Sequence, residues 1–136
     1  MISICIIEDI PEIQKGLKSV IDQDARFMIQ NCFITAEEAI KKLPYLKPDI
    51  VITDINLPHK SGIDCIKSVK SLIPATQFIM FTIYEDNETV FDALKAGANG
   101  YILKNTAPEK IIEAILEIYE GGSPMSPKIA RKVLNS

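Results

Sequence analysis

Short apolar runs alternate along this chain with stretches whose apolar positions recur at helical spacing. Ile2–Ile7 is almost wholly apolar, and Ile13, Leu17, Val20 and Ile21 follow on one helical face. Phe27–Ile34 is rich in β-formers. Thr35 opens the next helix, with Glu38 three residues on in the pattern of a capping box. Ala39, Ile40 and Leu43 form its face, and Pro44 and Pro48 are expected to close it. Ile50–Thr53 is the next buried run, and Leu57, Pro58 and Gly62 mark a loop. Ile63, Ile66, Val69 and Ile73 then recur with helical period as far as Pro74. Phe78–Phe81 is apolar, and Val90, Phe91 and Leu94 lie on a further helical face ended by Gly97. Asn99–Leu103 is a last short strand. Pro108 sits where a helix accepts it, in the first turn, and Ile111, Ile112, Ile115, Leu116 and Ile118 fill that helix as far as Gly121-Gly122.

The pattern predicts an α/β fold, (βα)5 and doubly wound. Strands apolar on both faces belong in a parallel sheet covered by helices on both sides. Right-handed crossovers leave few topologies, and the flavodoxin-like five-stranded parallel order 2-1-3-4-5 is the expected one. Residues 1–121 form the predicted domain. The composition shift at Gly121-Gly122-Ser123-Pro124 marks a boundary, and residues 122–136 are expected to be a linker and the start of a C-terminal helix.

Composition narrows the class of protein. The chain has 136 residues, a net charge of −3, 47% hydrophobic and 24% charged residues, the balance of an ordinary globular domain. No apolar run approaches the roughly 20 residues of a membrane helix. The N-terminal MISICIIED lacks the basic start of a signal peptide. A pI near 5.2 argues against non-specific nucleic-acid binding by this chain. Cys5, Cys32 and Cys65 are widely spaced and odd in number, which suits buried thiols in a reducing cytoplasm better than a disulfide framework or a zinc site.

In open parallel sheets the site lies beyond the carboxyl ends of the strands. Those ends carry Glu8 and Asp9, then Asp54, Thr82 and Lys104, each directly after an apolar run. Three converging carboxylates need a hard divalent cation, Lys104, or both. The absence of histidine and cysteine from the group favours Mg²⁺ over zinc. A carboxylate such as Asp54 can attack phosphorus to give an acyl phosphate. Neutralising the phosphoryl oxygens is then the main task of Mg²⁺, Lys104 and the Thr82 hydroxyl.

The stretches IIEDIPEI, PDIVITDINLPHKSGID, MFTIYEDNETVFDALKAGANGYILKN and GGSPMSPKIARKVL resemble the receiver domain of bacterial two-component response regulators, in the NarL/FixJ (LuxR-type) branch. The resemblance covers the whole chain. It implies Asp54 as phosphoacceptor, with a phosphohistidine on a sensor histidine kinase as donor. Asp9 and Asp54 would bind Mg²⁺ (Mn²⁺ as a substitute), Glu8 through water, and Asn56 through its backbone carbonyl. Thr82 matches the switch hydroxyl, Lys104 the phosphate-binding lysine, and Tyr101 the switch aromatic, which would turn inward when Thr82 moves to the phosphoryl group. Pro58 and Gly62 match the loop that shapes the site. The face of the fourth helix, fifth strand and fifth helix would change shape, with a phosphorylation-dependent homodimer as one partner. DNA would be met only through a helix-turn-helix output domain, for which these residues leave no room, so the chain is expected to be an excised receiver. A stand-alone receiver or a pseudo-receiver acting as a protein-interaction module is the alternative.

The match departs from the family in places. Asn105 follows Lys104 where many receivers have a cis-proline, so a trans bond is expected, since a non-proline cis bond costs about 2.5–4 kcal/mol. Ile83 follows Thr82 where a smaller residue is common; with Tyr84 it is a candidate for tuning access to the site. His59 is expected to be a solvated loop residue, and Lys128, Arg131 and Lys132 a solvated helix face. An aspartate-nucleophile phosphatase is disfavoured by Asn56, which has no proton to give where such enzymes hold a second aspartate. A flavin-binding module is disfavoured by the acidic first loop.

Overall fold

The computed structural model describes residues 1–136. Strands β1 (Ile2–Ile7), β2 (Phe27–Phe33), β3 (Ile50–Thr53), β4 (Gln77–Thr82) and β5 (Gly100–Leu103) form one sheet in the order β2-β1-β3-β4-β5. Every neighbouring pair is parallel. Helices α1 (Pro11–Asp22), α2 (Ala36–Leu46), α3 (Gly62–Val69), α4 (Asn87–Ala96) and α5 (Pro108–Tyr119) connect or follow the strands, and α6 (Pro127–Leu134) ends the chain.

Strand alternation divides the core in two. Cys5, Ile7, Val51, Phe78, Met80 and Tyr101 face α2, α3 and α4. Ile4, Ile6, Ile50, Ile52, Ile79 and Ile102 face α1 and α5, where Leu17, Ile21, Ile115 and Ile118 meet them. Each buried aliphatic side chain contributes about 1.5–3 kcal/mol, so both layers are well supplied. Burial pushes the Cys5 and Cys65 thiols up to about 12, which makes them core residues rather than nucleophiles.

Ladder bonds continue one residue past the strands. Glu8 N–H donates to Phe33 O at 2.9 Å, Asp54 N–H to Ile7 O at 3.1 Å, and Lys104 N–H to Thr82 O at 2.9 Å. The sheet therefore fixes the backbone of the first polar residue at three strand ends.

Local structure differs from the sequence pattern in two helices. Helix α2 runs through Pro44 to Leu46 and ends at Lys47, whose φ of 45° and N–H bond to Leu43 O close it. Pro44 removes one helical bond near the C-terminus, too late to stop the helix two residues earlier. Thr35 does cap α2 through Glu38 N–H at 3.2 Å, but the reciprocal capping box is at Ser61 and Asp64, on α3. Helix α3 stops at Val69, and Ile73 reaches the core from the turn that follows.

Residues 122–136 fold back over the outer edge of β5. Tyr101 N–H donates to Pro124 O at 2.9 Å, and Ser126 N–H donates to Tyr101 O at 3.1 Å, forming a one-residue parallel bridge at Met125. Ser126 Oγ accepts from Leu103 N–H at 2.9 Å. A side chain at Gly100 would put its Cβ 2.9 Å from Pro124 O, so glycine permits this approach. Ile129 of α6 is fully buried in the α2–α4 core layer. An exposed strand edge is a liability, and this segment covers part of it.

Candidate functional site

The strand ends bring Glu8, Asp54, Thr82 and Lys104 to one edge of the sheet, with Asp9 beside them. Carboxylate oxygens of Glu8, Asp9 and Asp54 all lie within 4.8 Å of one another. Glu8 and Asp54 are buried, and Asp9 is half-buried. Lys104 crosses from β5 with its Nζ 2.7 Å from Asp54 Oδ2 and 2.7 Å from Glu8 Oε1. The second oxygen of Asp54, Oδ1, accepts from Ile55 N–H at 2.7 Å.

This balance of charge is incomplete. One ammonium faces three acids. Its contact with Glu8 Oε1 is Coulombic, off the direction of a hydrogen bond, and that buried oxygen has no other partner. Glu8 Oε2 accepts from Ile10 N–H at 3.2 Å. Burial raises the Glu8 carboxyl above the usual glutamate range, against the lowering effect of Lys104 and the Ile10 amide. Burial pulls the Lys104 ammonium down, but the adjacent carboxylates of Asp54 and Glu8 outweigh that and leave it raised. An oxygen-only acid set with an orphaned buried acceptor is the chemistry of a hard divalent cation, and these three carboxylates could hold one.

The loop after β3 is tightly anchored. Ile55 and Leu57 are buried, while Asn56, Pro58 and His59 are exposed. Gly62 N–H donates to Ile55 O at 2.9 Å, and a Cβ on Gly62 would fall 2.0 Å from Asp54 O. Only glycine allows α3 to start so close to the Asp54 backbone. His59 adopts a left-handed φ of 64° at the loop tip and points at none of the acids in any hydrogen bond. No peptide bond is cis, so Lys104–Asn105 is trans.

Thr82 is fully buried, and its Oγ1 accepts a long bond from Tyr84 N–H at 3.4 Å. Tyr101 is also fully buried, and its hydroxyl donates to Tyr84 O at 2.8 Å. The backbone of Tyr84 thus joins the two residues. The inward ring position, which the resemblance ties to the switched state, is held here by contacts within the chain: core packing around the ring and an acceptor for its hydroxyl. Tyr84 is half-buried against the same core, and Ile83 is 70% exposed. Lys128 and Arg131 are exposed; Lys128 lies 3.8 Å from Glu85, and Lys132 bonds Asn87 at 3.2 Å.

Two neighbours of the site were not singled out in the sequence. Thr53 Oγ1 donates to Asp54 O at 2.8 Å. Gln14 Nε2 donates to Glu8 O at 2.9 Å and to Phe33 O at 3.1 Å. The available signal for Gln14 was a polar residue on the helical stripe of Leu17 and Ile21.

A parallel five-stranded sheet in the order 2-1-3-4-5, with three carboxylates and a lysine at its carboxyl edge, is a flavodoxin-like α/β domain. Residues 4–116 match the family model described as "Response regulator receiver domain", and the chain belongs to that family. Among curated relatives, it is 30% identical over 135 residues to transcriptional regulatory protein LnrK of Bacillus subtilis, covering 99% of this chain and 61% of that protein. It is 29% identical over 133 residues to oxygen regulatory protein NreC of Staphylococcus carnosus, covering 97% of this chain and 61% of that protein. The chain thus spans about three-fifths of the length of these relatives. The crystal structure of a LuxR-family two-component response regulator from Aurantimonas superposes with a TM-score of 0.91 at 28% identity, covering 98% of this chain and 95% of that one. The chain is a receiver domain of the LuxR/NarL type. None of its helices is long and apolar enough to cross a membrane.

Proposed function

We propose that this domain accepts a phosphoryl group on Asp54 from a phosphohistidine of a sensor histidine kinase, in the cytoplasm, and passes the event to a DNA-binding output domain. The observation that carries the reading is the double contact of Lys104 Nζ with Asp54 and Glu8 in a buried three-acid cluster. A carboxylate oxygen of Asp54 forms the new bond to phosphorus; the phosphorus–nitrogen bond of the donor breaks and its electron pair stays on the imidazole. Glu8, Asp9, Asp54 and the Asn56 carbonyl would hold Mg²⁺, or Mn²⁺ in its place, Glu8 through water. The cation supplies neutralisation of the equatorial oxygens. Lys104 releases Asp54 and takes a phosphoryl oxygen. The same cluster supports slow phosphorylation from small donors and slow self-dephosphorylation, with Ile83 and Tyr84 at the rim tuning access.

The phosphoryl group adds about −1.5 to −2 charges and three acceptors. Thr82 turns its hydroxyl to one of them and gives up the Tyr84 amide. Tyr84, whose carbonyl accepts from the Tyr101 hydroxyl, relays that change to β5 and the adjoining helices. A bistable face of α4, β5 and α5 would then alter dimerisation or output contacts.

The test is intact-mass spectrometry after incubation with acetyl phosphate and Mg²⁺. One phosphoryl group is expected on the wild type, and none with a chelator or in Asp54→Asn. A wild type that gains nothing while a control receiver is labelled would overturn the reading in favour of a pseudo-receiver.

A further inference from the structure

Helix α1 sends one polar side chain to the end of the sheet. Gln14 shares a stripe with buried Leu17 and Ile21, yet its Nε2 donates to Glu8 O at 2.9 Å and Phe33 O at 3.1 Å. The same Phe33 carbonyl accepts from Glu8 N–H at 2.9 Å. On the far side of Asp9, Ile10 N–H donates to Glu8 Oε2 at 3.2 Å, and Ile10 O accepts from Gln14 N–H at 3.0 Å. Gln14 thus holds the carbonyls of Glu8, through its side chain, and of Ile10, through its backbone, and Asp9 is the residue between those two. Apart from the Glu8 carboxylate on Ile10 N–H, the start of α1 has no other side-chain bond for this. Its N-cap residue is Ile10, with no side-chain bond to the first turn, and Pro11 lacks an N–H.

We infer that Gln14 is a positioning residue for the divalent cation: it fixes the Glu8–Asp9–Ile10 turn so that the Asp9 carboxylate stays with those of Glu8 and Asp54. The inference rests on the Mg²⁺ reading above. Groups that orient metal ligands from behind commonly change metal affinity by about 10–100-fold when removed. A side chain that served only to tie α1 to the sheet would lower stability and leave affinity alone.

The experiment is an NMR titration of the 136-residue chain with MgCl₂, following backbone amides, for the wild type, Gln14→Met, Gln14→Glu and Gln30→Met. Methionine keeps the length of glutamine and removes the donors. Glutamate adds negative charge near the cluster, which by charge alone would tighten cation binding. Gln30 is the control, an exposed glutamine whose Nε2 bonds Leu46 O at 3.4 Å on the edge strand β2. Mg²⁺ binding is expected to weaken about tenfold in Gln14→Met, to weaken also in Gln14→Glu, and to stay unchanged in Gln30→Met. Amide hydrogen exchange at Asp9 and Ile10, measured without metal, should speed up in both Gln14 variants more than in the rest of α1. Wild-type affinity in Gln14→Glu or Gln14→Met would overturn the inference while leaving the Mg²⁺ reading intact. A wild type with no saturable response to Mg²⁺ would overturn the metal reading, and the inference with it.

Discussion

The carboxyl ends of β1, β3 and β5 and the outer edge of β5 are built on opposite principles. At the strand ends, side chains from residues far apart in sequence meet as charges: Glu8, Asp54 and Lys104 are buried or nearly so, and each pays desolvation. At the edge of β5, residues 124–126 attach through two backbone bonds and the Ser126 hydroxyl, and α6 buries Ile129 in the core. The first region buries charge at a cost; the second stabilises with little charge buried. They touch on β5, where Tyr101 and Leu103 bond the C-terminal segment and the next residue, Lys104, enters the acid cluster.

The largest effect should come from removing the cation at the centre of the first region. Lys104→Met leaves buried acids without their counter-charge and should cost about 3–5 kcal/mol of unfolding free energy in urea at neutral pH. A loss below about 1 kcal/mol, the scale of a surface pair, would mean that the cluster is already neutralised by solvent. For the second region, Ile129→Ala should cost about 2–4 kcal/mol by the same assay. A neutral result would show that α6 is not part of the cooperative unit and would erase the contrast.

The two regions also differ in response to pH. The Glu8 carboxyl is raised in the folded chain, so its contribution to stability is full below the ordinary glutamate pKa of about 4.3 and is lost as pH rises through the folded value. Glu8→Gln removes that loss. The melting temperature of Glu8→Gln relative to wild type should therefore be more favourable at pH 7 than at pH 4, whereas Ile129→Ala should show the same deficit at both. A Glu8→Gln difference independent of pH would contradict the assigned burial effect. The smallest effect belongs where the regions meet. Tyr101→Phe removes the hydroxyl bond to Tyr84 O and should cost about 1 kcal/mol. It should also loosen the Tyr84 amide in hydrogen exchange; unchanged exchange there would break the relay from Thr82.

The same contrast explains what could be seen in the sequence. Glu8, Asp9, Asp54, Thr82 and Lys104 were legible because topology sends whatever follows a buried strand to one edge, and residue type then names the chemistry. The parallel sheet followed from the apolar runs, and its order from the few topologies that right-handed crossovers allow. The return of Pro124–Ser126 onto β5 leaves no periodic mark, because its bonds come mostly from the backbone and three residues are too few for a pattern. The inward packing of Tyr101 depends on an acceptor from Tyr84, seventeen residues earlier, that no spacing rule announces. Helix α2 outran Pro44 because a proline near a helix end costs only one bond. Gln14 is a polar interruption of an apolar stripe, but its two acceptors, just past β1 and at the end of β2, are brought together only by the fold.

The most direct test of the account is to find where the phosphoryl group sits. Wild-type protein treated with acetyl phosphate and Mg²⁺ would be reduced with borohydride, which converts an aspartyl phosphate to homoserine, then digested and sequenced by tandem mass spectrometry. Homoserine is expected at position 54 and at no other aspartate, with Asp9 unmodified. Homoserine elsewhere, or none in protein whose intact mass shows a phosphoryl group, would contradict it.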